Sequence, residues 1–106
     1  EYLSGIEEIQ LPERVNYCTH TFHQYTIKTE KRDALQEFLK EKGIPSMVYY
    51  PKVIHLQDAY NYLGYKKGDF PVSEKLCKTV LSLPMHTELK EEQLEYITNA
   101  IKELFK

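Results

Sequence analysis

Nine tyrosines in 106 residues is a high count, and five of them, Tyr49, Tyr50, Tyr60, Tyr62 and Tyr65, fall between positions 49 and 65. A phenol offers a flat apolar ring and a hydroxyl that both donates and accepts, which suits a sugar ring, a nucleobase or another protein. The competing reading makes Tyr60 and Tyr62 ordinary helix residues and turns one of Tyr49 and Tyr50 into a core. Four histidines are present, His20, His23, His55 and His86. A zinc site needs a pair at helix or hairpin spacing with a third ligand nearby. His20 and His23 lie three apart in a run that reads as a strand, which sets them on opposite faces, so no metal site is expected. His55 follows the Pro51 turn and precedes a helical run, where a side chain can project from a loop end or serve as a cap. No GxSxG elbow, Walker loop or GxGxxG is present, and four glycines are too few for such a phosphate cradle. No complete catalytic apparatus is expected within the chain.

Fourteen basic against sixteen acidic residues give a net charge of -2. That balance argues against a nucleic-acid partner, whose phosphates call for an excess of Lys and Arg. No run approaches the eighteen or so apolar residues of a membrane span, so no membrane association is expected and the chain reads as soluble. Cys18 and Cys77 are too few for a disulfide framework, and reduced thiols in a cytoplasmic protein are expected. The chain opens Glu1-Tyr2-Leu3 without Met, which reads as a piece of something longer.

Residues 1–16 carry scattered apolar side chains interrupted by Pro12 and read as an irregular lead-in. The Thr- and aromatic-rich run from His20 to Thr29 predicts a strand with His23, Tyr25 and Ile27 on one face. A helix over 30–42 follows, capped by Thr29, with Ala34, Leu35, Phe38 and Leu39 as its stripe and a Gly43-Ile44-Pro45 stop. Residues 46–50 read as a short strand ended by Pro51, and 55–63 as a helix with Leu56, Ala59, Tyr60 and Leu63 on one side, ending at Gly64. Asp69 can cap a further helix with Pro71 in its first turn and Val72, Leu76 and Val80 along one face. A short buried strand at 81–83 and an amphipathic helix over 91–105 complete the chain. The class is α/β: a small sheet covered by helices, its strand order open.

The segment YYPKVIHLQDAY, residues 49–60, resembles the (H/Y)YPxPLHLQxAY stretch of the DegT/StrS group of pyridoxal-phosphate-dependent nucleotide-sugar aminotransferases. Its flanks agree in order and spacing. QYTIKTEKRDALQEFLKEKGIPS looks like that family's strand, helix and GI turn. GDFPVSEKLCKTVLSLPMHTEL looks like its FPxAExLxxxxLSLPMxxxL run, and EEQLEYITNAIKELF like its last helix. Four words in register over some ninety residues make a specific match, covering about 17–105.

The resemblance implies the C-terminal small domain of a fold-type I aminotransferase over 17–106. Residues 1–16 would then lead in from an upstream large domain. That large domain would hold the Schiff-base lysine and the pyridoxal phosphate, so no catalytic or cofactor-binding residue is assigned here. The full enzyme would be a homodimer moving an amino group from glutamate to a keto group on a nucleotide-linked sugar, in surface-polysaccharide or glycan synthesis. The matching positions Tyr49, Tyr50 and His55 are the substrate-binding candidates. Lys52 joins them as a cation for a sugar carboxylate or nucleotide phosphate, with a solvated lysine as the other reading. Tyr49 stands where the family often has His, which replaces a group titrating near neutrality with a phenol. Val53 stands where it has Pro, and Ile54 where it has Leu. The YYP form, with QYTIK and LPMH, looks most like enzymes of UDP-linked 3-keto-N-acetylglucosaminuronate. The alternative is a stand-alone α/β ligand-binding or interaction module with a tyrosine-lined patch. The fragment reading places oversized exposed apolar surface on 1–16 and on the 91–105 helix.

Overall fold

The computed structural model describes residues 2–106. Its elements are β1 (Tyr25–Lys28), α1 (Arg32–Glu41), two short 3-10 helices (Ile54–Leu56 and Asp58–Leu63), α2 (Pro71–Thr79), β2 (Val80–Leu83) and α3 (Glu91–Leu104). The strands pair antiparallel, with Tyr25 opposite Leu83 and Lys28 opposite Val80. Single bridges widen the sheet on both sides. Gln10 pairs with Lys28, and Met47 exchanges two backbone hydrogen bonds with Ser82, at 3.0 and 2.7 Å. The expected α/β class is therefore observed, as a small sheet with helices packed on it.

Strand alternation divides the sheet into two faces. Ile27 and Leu81 lie directly opposite each other and are fully buried, while the neighbouring Thr26 and Ser82 share a 2.8 Å hydroxyl hydrogen bond. Leu35 and Leu39 of α1 and Ile97, Ala100 and Ile101 of α3 join Ile27 and Leu81 in one core. Each fully buried Leu or Ile contributes roughly 1.5–3 kcal/mol. The end of α1 is set locally. Gly43 at φ +71° donates to the Lys40 carbonyl, and Ile44 donates to that of Leu39 at 2.8 Å while burying its side chain in the same core. These two bonds satisfy carbonyls that the helix leaves unpaired. At the start of α1 the Thr29 hydroxyl accepts the Lys31 N–H. Arg32, 9% exposed, donates to the carbonyls of Cys77 and Val80 and so ties α1 to the junction of α2 and β2.

Several expectations are corrected. The strand expected over His20–Thr29 shrinks to Tyr25–Lys28, because Phe22 adopts φ +50° and its N–H turns to His20 Nδ1 at 2.8 Å. A positive φ is uncommon for a bulky residue. Here it comes with a stack of the His20 and Phe22 rings, 4.4 Å between centroids, and with the Arg14 guanidinium 5.4 Å from the Phe22 ring. His23 consequently sits on an exposed bend outside the strand. The strand expected at 46–50 is reduced to the Met47 bridge. The helix expected at 55–63 forms as two 3-10 turns separated by an extended Gln57, with Gly64 ending the second at φ +74°. Ala59, Tyr60 and Leu63, expected to face inward, are exposed, as is Ala34 on α1.

On α2 the Val72–Leu76 stripe points outward, and Thr79 is the residue it buries. Val80 is buried as part of β2. Asp69 does not cap that helix; its carboxylate accepts the Lys66 N–H and closes the preceding turn. The lead-in is irregular as expected, but Leu3 and Ile9 enter the main core, Glu1 lying outside the described residues. Exposed apolar side chains therefore concentrate between Met47 and Leu76, not in residues 1–16 or on α3. Cys18 is exposed, Cys77 is half-buried, and both are free thiols.

Candidate functional site

The stretch 47–57 is a loop held at both ends. Its first anchor is the double hydrogen bond of Met47 to Ser82 in the buried strand β2. Its second begins at Val53, which is buried, and continues through the 3-10 turn Ile54–Leu56, where Leu56 donates to the Val53 carbonyl and Gln57 to that of Ile54. The Gln57 side chain also donates to the Lys52 carbonyl at 3.3 Å. Between the anchors Tyr49 and Tyr50 are 41% and 72% exposed. Their rings meet edge to face at 5.7 Å, and the peptide bond joining them is cis. Lys52 is exposed beside them. The loop thus presents two aromatic faces, two phenol hydroxyls and one ammonium on fixed backbone supports.

His55 lies apart from this exposed group. Its side chain is 9% exposed, and Nε2 is 3.0 Å from a carboxylate oxygen of Glu74, itself 12% exposed in the first turn of α2. The same Glu74 oxygen accepts the Gly68 N–H at 2.7 Å. The His55 ring packs on Phe70 at 4.8 Å, and Tyr65 meets Phe70 edge-on at 5.1 Å. Glu74 has its carboxyl held below the usual carboxylate range, first by the Gly68 N–H, against the opposing effect of burial, and further by the His55 hydrogen bond. The structure therefore pairs the Tyr49 and Tyr50 rings on the surface, leaves Lys52 exposed two residues further on, and puts His55 apart from them in a hydrogen-bonded clasp with Glu74.

Sequence reasoning did not reach Glu74. Glu74 is the fixed acid of the FPxAExL run and, in the first turn of a helix, is also favoured by the helix dipole, but nothing in the sequence pairs it with a histidine nineteen positions earlier. The remaining tyrosines of the cluster divide by role. Tyr65 supports Phe70, Tyr62 is 79% exposed and Tyr60 38%. Among the described residues no group of three or more His, Cys, Asp or Glu side chains is placed to hold a metal ion. No helix among them is long and apolar enough to cross a membrane.

A small α/β domain carrying an anchored tyrosine loop is thus defined by fold and surface together. The chain belongs to the DegT/DnrJ/EryC1/StrS aminotransferase family, whose model matches residues 1–102. It is 54% identical to a pleiotropic regulatory protein of Geobacillus stearothermophilus, a match covering 90% of this chain and 26% of that protein. It is 41% identical to a UDP-N-acetyl-3-dehydro-alpha-D-glucosamine 3-aminotransferase of Acidithiobacillus ferrooxidans, covering 96% of this chain and 27% of the relative. Among solved structures, S. venezuelae DesV in complex with a ketimine intermediate superposes with a TM-score of 0.93 at 31% identity, over 99% of this chain and 28% of that one. The chain spans about a quarter of the length of the curated relatives it matches.

Proposed function

We propose that this chain is the C-terminal small domain of a nucleotide-sugar aminotransferase, and that the Tyr49–Lys52 loop forms a wall of its sugar pocket. Residues 17–106 make up the small domain in this reading, and 1–16 lead in from an upstream large domain. The observation that carries it is the loop itself: exposed aromatic and cationic groups, fixed at Ser82 on one side and at Val53 and Glu74 on the other. Phenol rings and hydroxyls at such a position suit the faces and hydroxyls of a pyranose. Tyr49 and Tyr50 contact the sugar, and Lys52 faces its carboxylate or the nucleotide phosphate. His55, expected to contact the sugar, has Nε2 committed to Glu74 and contributes by holding the turn that follows the loop.

The family membership supports transfer of an amino group from glutamate to a keto carbon of a UDP-linked N-acetylated 3-keto sugar, in surface-polysaccharide or glycan synthesis. Pyridoxal phosphate supplies the electron sink for that exchange when bound. The lysines described here do not fit it. None of the twelve is buried: nine are exposed and Lys28, Lys42 and Lys102 are half-buried, whereas an imine-forming lysine needs a desolvated setting. In this reading the cofactor belongs to the large domain, and the full enzyme is a cytoplasmic homodimer.

The full-length gene product, supplied with pyridoxal phosphate, glutamate and UDP-N-acetyl-3-keto-glucosamine or its uronate, is expected to release 2-oxoglutarate in step with the aminated sugar. Absence of 2-oxoglutarate with either sugar overturns the reading. A preference for the uronate that Lys52→Met abolishes identifies the carboxylate as the partner of Lys52.

A further inference from the structure

We infer that Glu74 is a positioning residue for the sugar-facing loop, an inference that rests on the pocket assignment above. Two groups from outside its helix meet on its carboxylate. His55, in the 3-10 turn directly after the loop, lies 3.0 Å from Oε1. The Gly68 N–H, from the exposed turn before α2, reaches the same oxygen at 2.7 Å. Glu74 itself is fixed in the helix, its own N–H bonded to the Phe70 carbonyl at 3.0 Å. Phe70 in turn underlies the His55 ring.

Among the described residues the loop is held at Met47 and Val48 on one side and at Val53 on the other. On that second side Glu74 supplies the side-chain hydrogen bond that comes from outside the loop. Met47 is held by the buried strand whatever happens at Glu74. On the other side Val53 is buried, yet apolar burial is non-directional and leaves the turn free to rotate about its own axis. The hydrogen bond from His55 to Glu74 removes that freedom, because a ring nitrogen and a carboxylate oxygen hold both distance and direction. Tyr50 is five residues before His55, so a rotation of the turn is transmitted to the phenol along a short tether. Removing the carboxylate also leaves a nearly buried imidazole without its partner and frees the 64–70 turn. Glu74 thus acts on the sugar through His55 and touches no substrate itself.

The test uses the full-length enzyme carrying Glu74→Ala, Glu74→Gln or Tyr50→Ala, with the glutamate and sugar half-reactions followed separately. Glu74→Ala is expected to raise the sugar KM about tenfold and leave the glutamate half-reaction unchanged. Glu74→Gln, which keeps an acceptor for both donors, is expected to restore the KM to within about threefold. A merely structural role predicts the reverse pattern, equal losses in both half-reactions with no rescue, and that result overturns the inference. A KM that rises for Tyr50→Ala but not for Glu74→Ala overturns the role of Glu74 and leaves the pocket assignment standing. Unchanged kinetics in both variants overturn the assignment and the inference together. Should Glu74→Ala fail to fold, amide exchange of Gly68 in the unmodified enzyme decides. Slowing of at least tenfold relative to free peptide supports the clasp, and exchange at the peptide rate overturns it.

Discussion

Glu74 accepts a backbone N–H and a histidine ring nitrogen on one oxygen, and both bonds favour its ionised form. A carboxylate whose folded-state pKa is depressed stabilises the fold above its unfolded pKa, and that contribution is lost as the pH falls through the folded value. The urea midpoint of Glu74→Gln is therefore expected to lie below that of the unmodified protein at pH 6. The gap is expected to narrow as the pH falls through the depressed folded-state pKa of Glu74, below which both carry a neutral group. A gap that stays constant over that range contradicts the charge-based account. Arg32 makes a complementary case, since its guanidinium is buried against two carbonyls at the α2–β2 junction. Arg32→Met is expected to leave those carbonyls unpaired and to cost about 1–3 kcal/mol in chemical unfolding. A loss below about 0.5 kcal/mol would show that water replaces the guanidinium. Neither role is legible in the sequence. Nothing in the sequence names the partners of Arg32 or of Glu74, which only the folded arrangement supplies.

Where an element's causes are local, the sequence announces it. Helix α1 carries its stripe and its Gly43-Ile44-Pro45 stop within one stretch: Leu35 and Leu39 are fully buried, Phe38 is half-buried and the stop acts as read. Ala34, by contrast, is exposed, and the N-cap is Lys31, not the expected Thr29. Gly43 holds φ +71° with open space where a Cβ would stand, so Gly43→Ala meets backbone strain but no clash. An expected loss of about 1 kcal/mol, read from the unfolding midpoint, follows from that conformation alone. Leu39→Ala removes a fully buried side chain and is expected to cost about 2–5 kcal/mol. Elements whose causes are tertiary read less well. Residues 46–50 look like a strand, but pairing is set by β2, which accepts them at Met47 only. The Val72–Leu76 stripe has the spacing of a buried face and yet points outward, since period identifies a face without saying what it meets.

The whole molecule has a Cα radius of gyration of 15.8 Å and extents of 49 × 38 × 27 Å. A compact chain of this length is expected near 13 Å. Between Met47 and Leu76, Ile54, Tyr62 and Val72 are among the most exposed apolar side chains. Surfaces of that kind mark interfaces. The isolated 106-residue chain is expected to self-associate, seen as a sedimentation coefficient that rises with concentration, whereas a concentration-independent monomer would favour a free-standing module. At this scale the sequence is most informative, because four motifs in register identify the family before any coordinate does. It misplaces the exposed apolar surface, since nothing in Leu3 or Ile9 shows that both fold back into the core of this same domain.

The loop assignment is tested most directly by the sugar half-reaction of Tyr50→Ala in the full-length enzyme. Tyr50 is 72% exposed and its ring meets that of Tyr49, so its removal leaves the core intact. A tenfold or larger fall in kcat/KM for the nucleotide sugar is expected, corresponding to about 1.4 kcal/mol of lost transition-state binding, with the glutamate half-reaction unchanged. A sugar half-reaction indistinguishable from that of the unmodified enzyme would contradict the assignment.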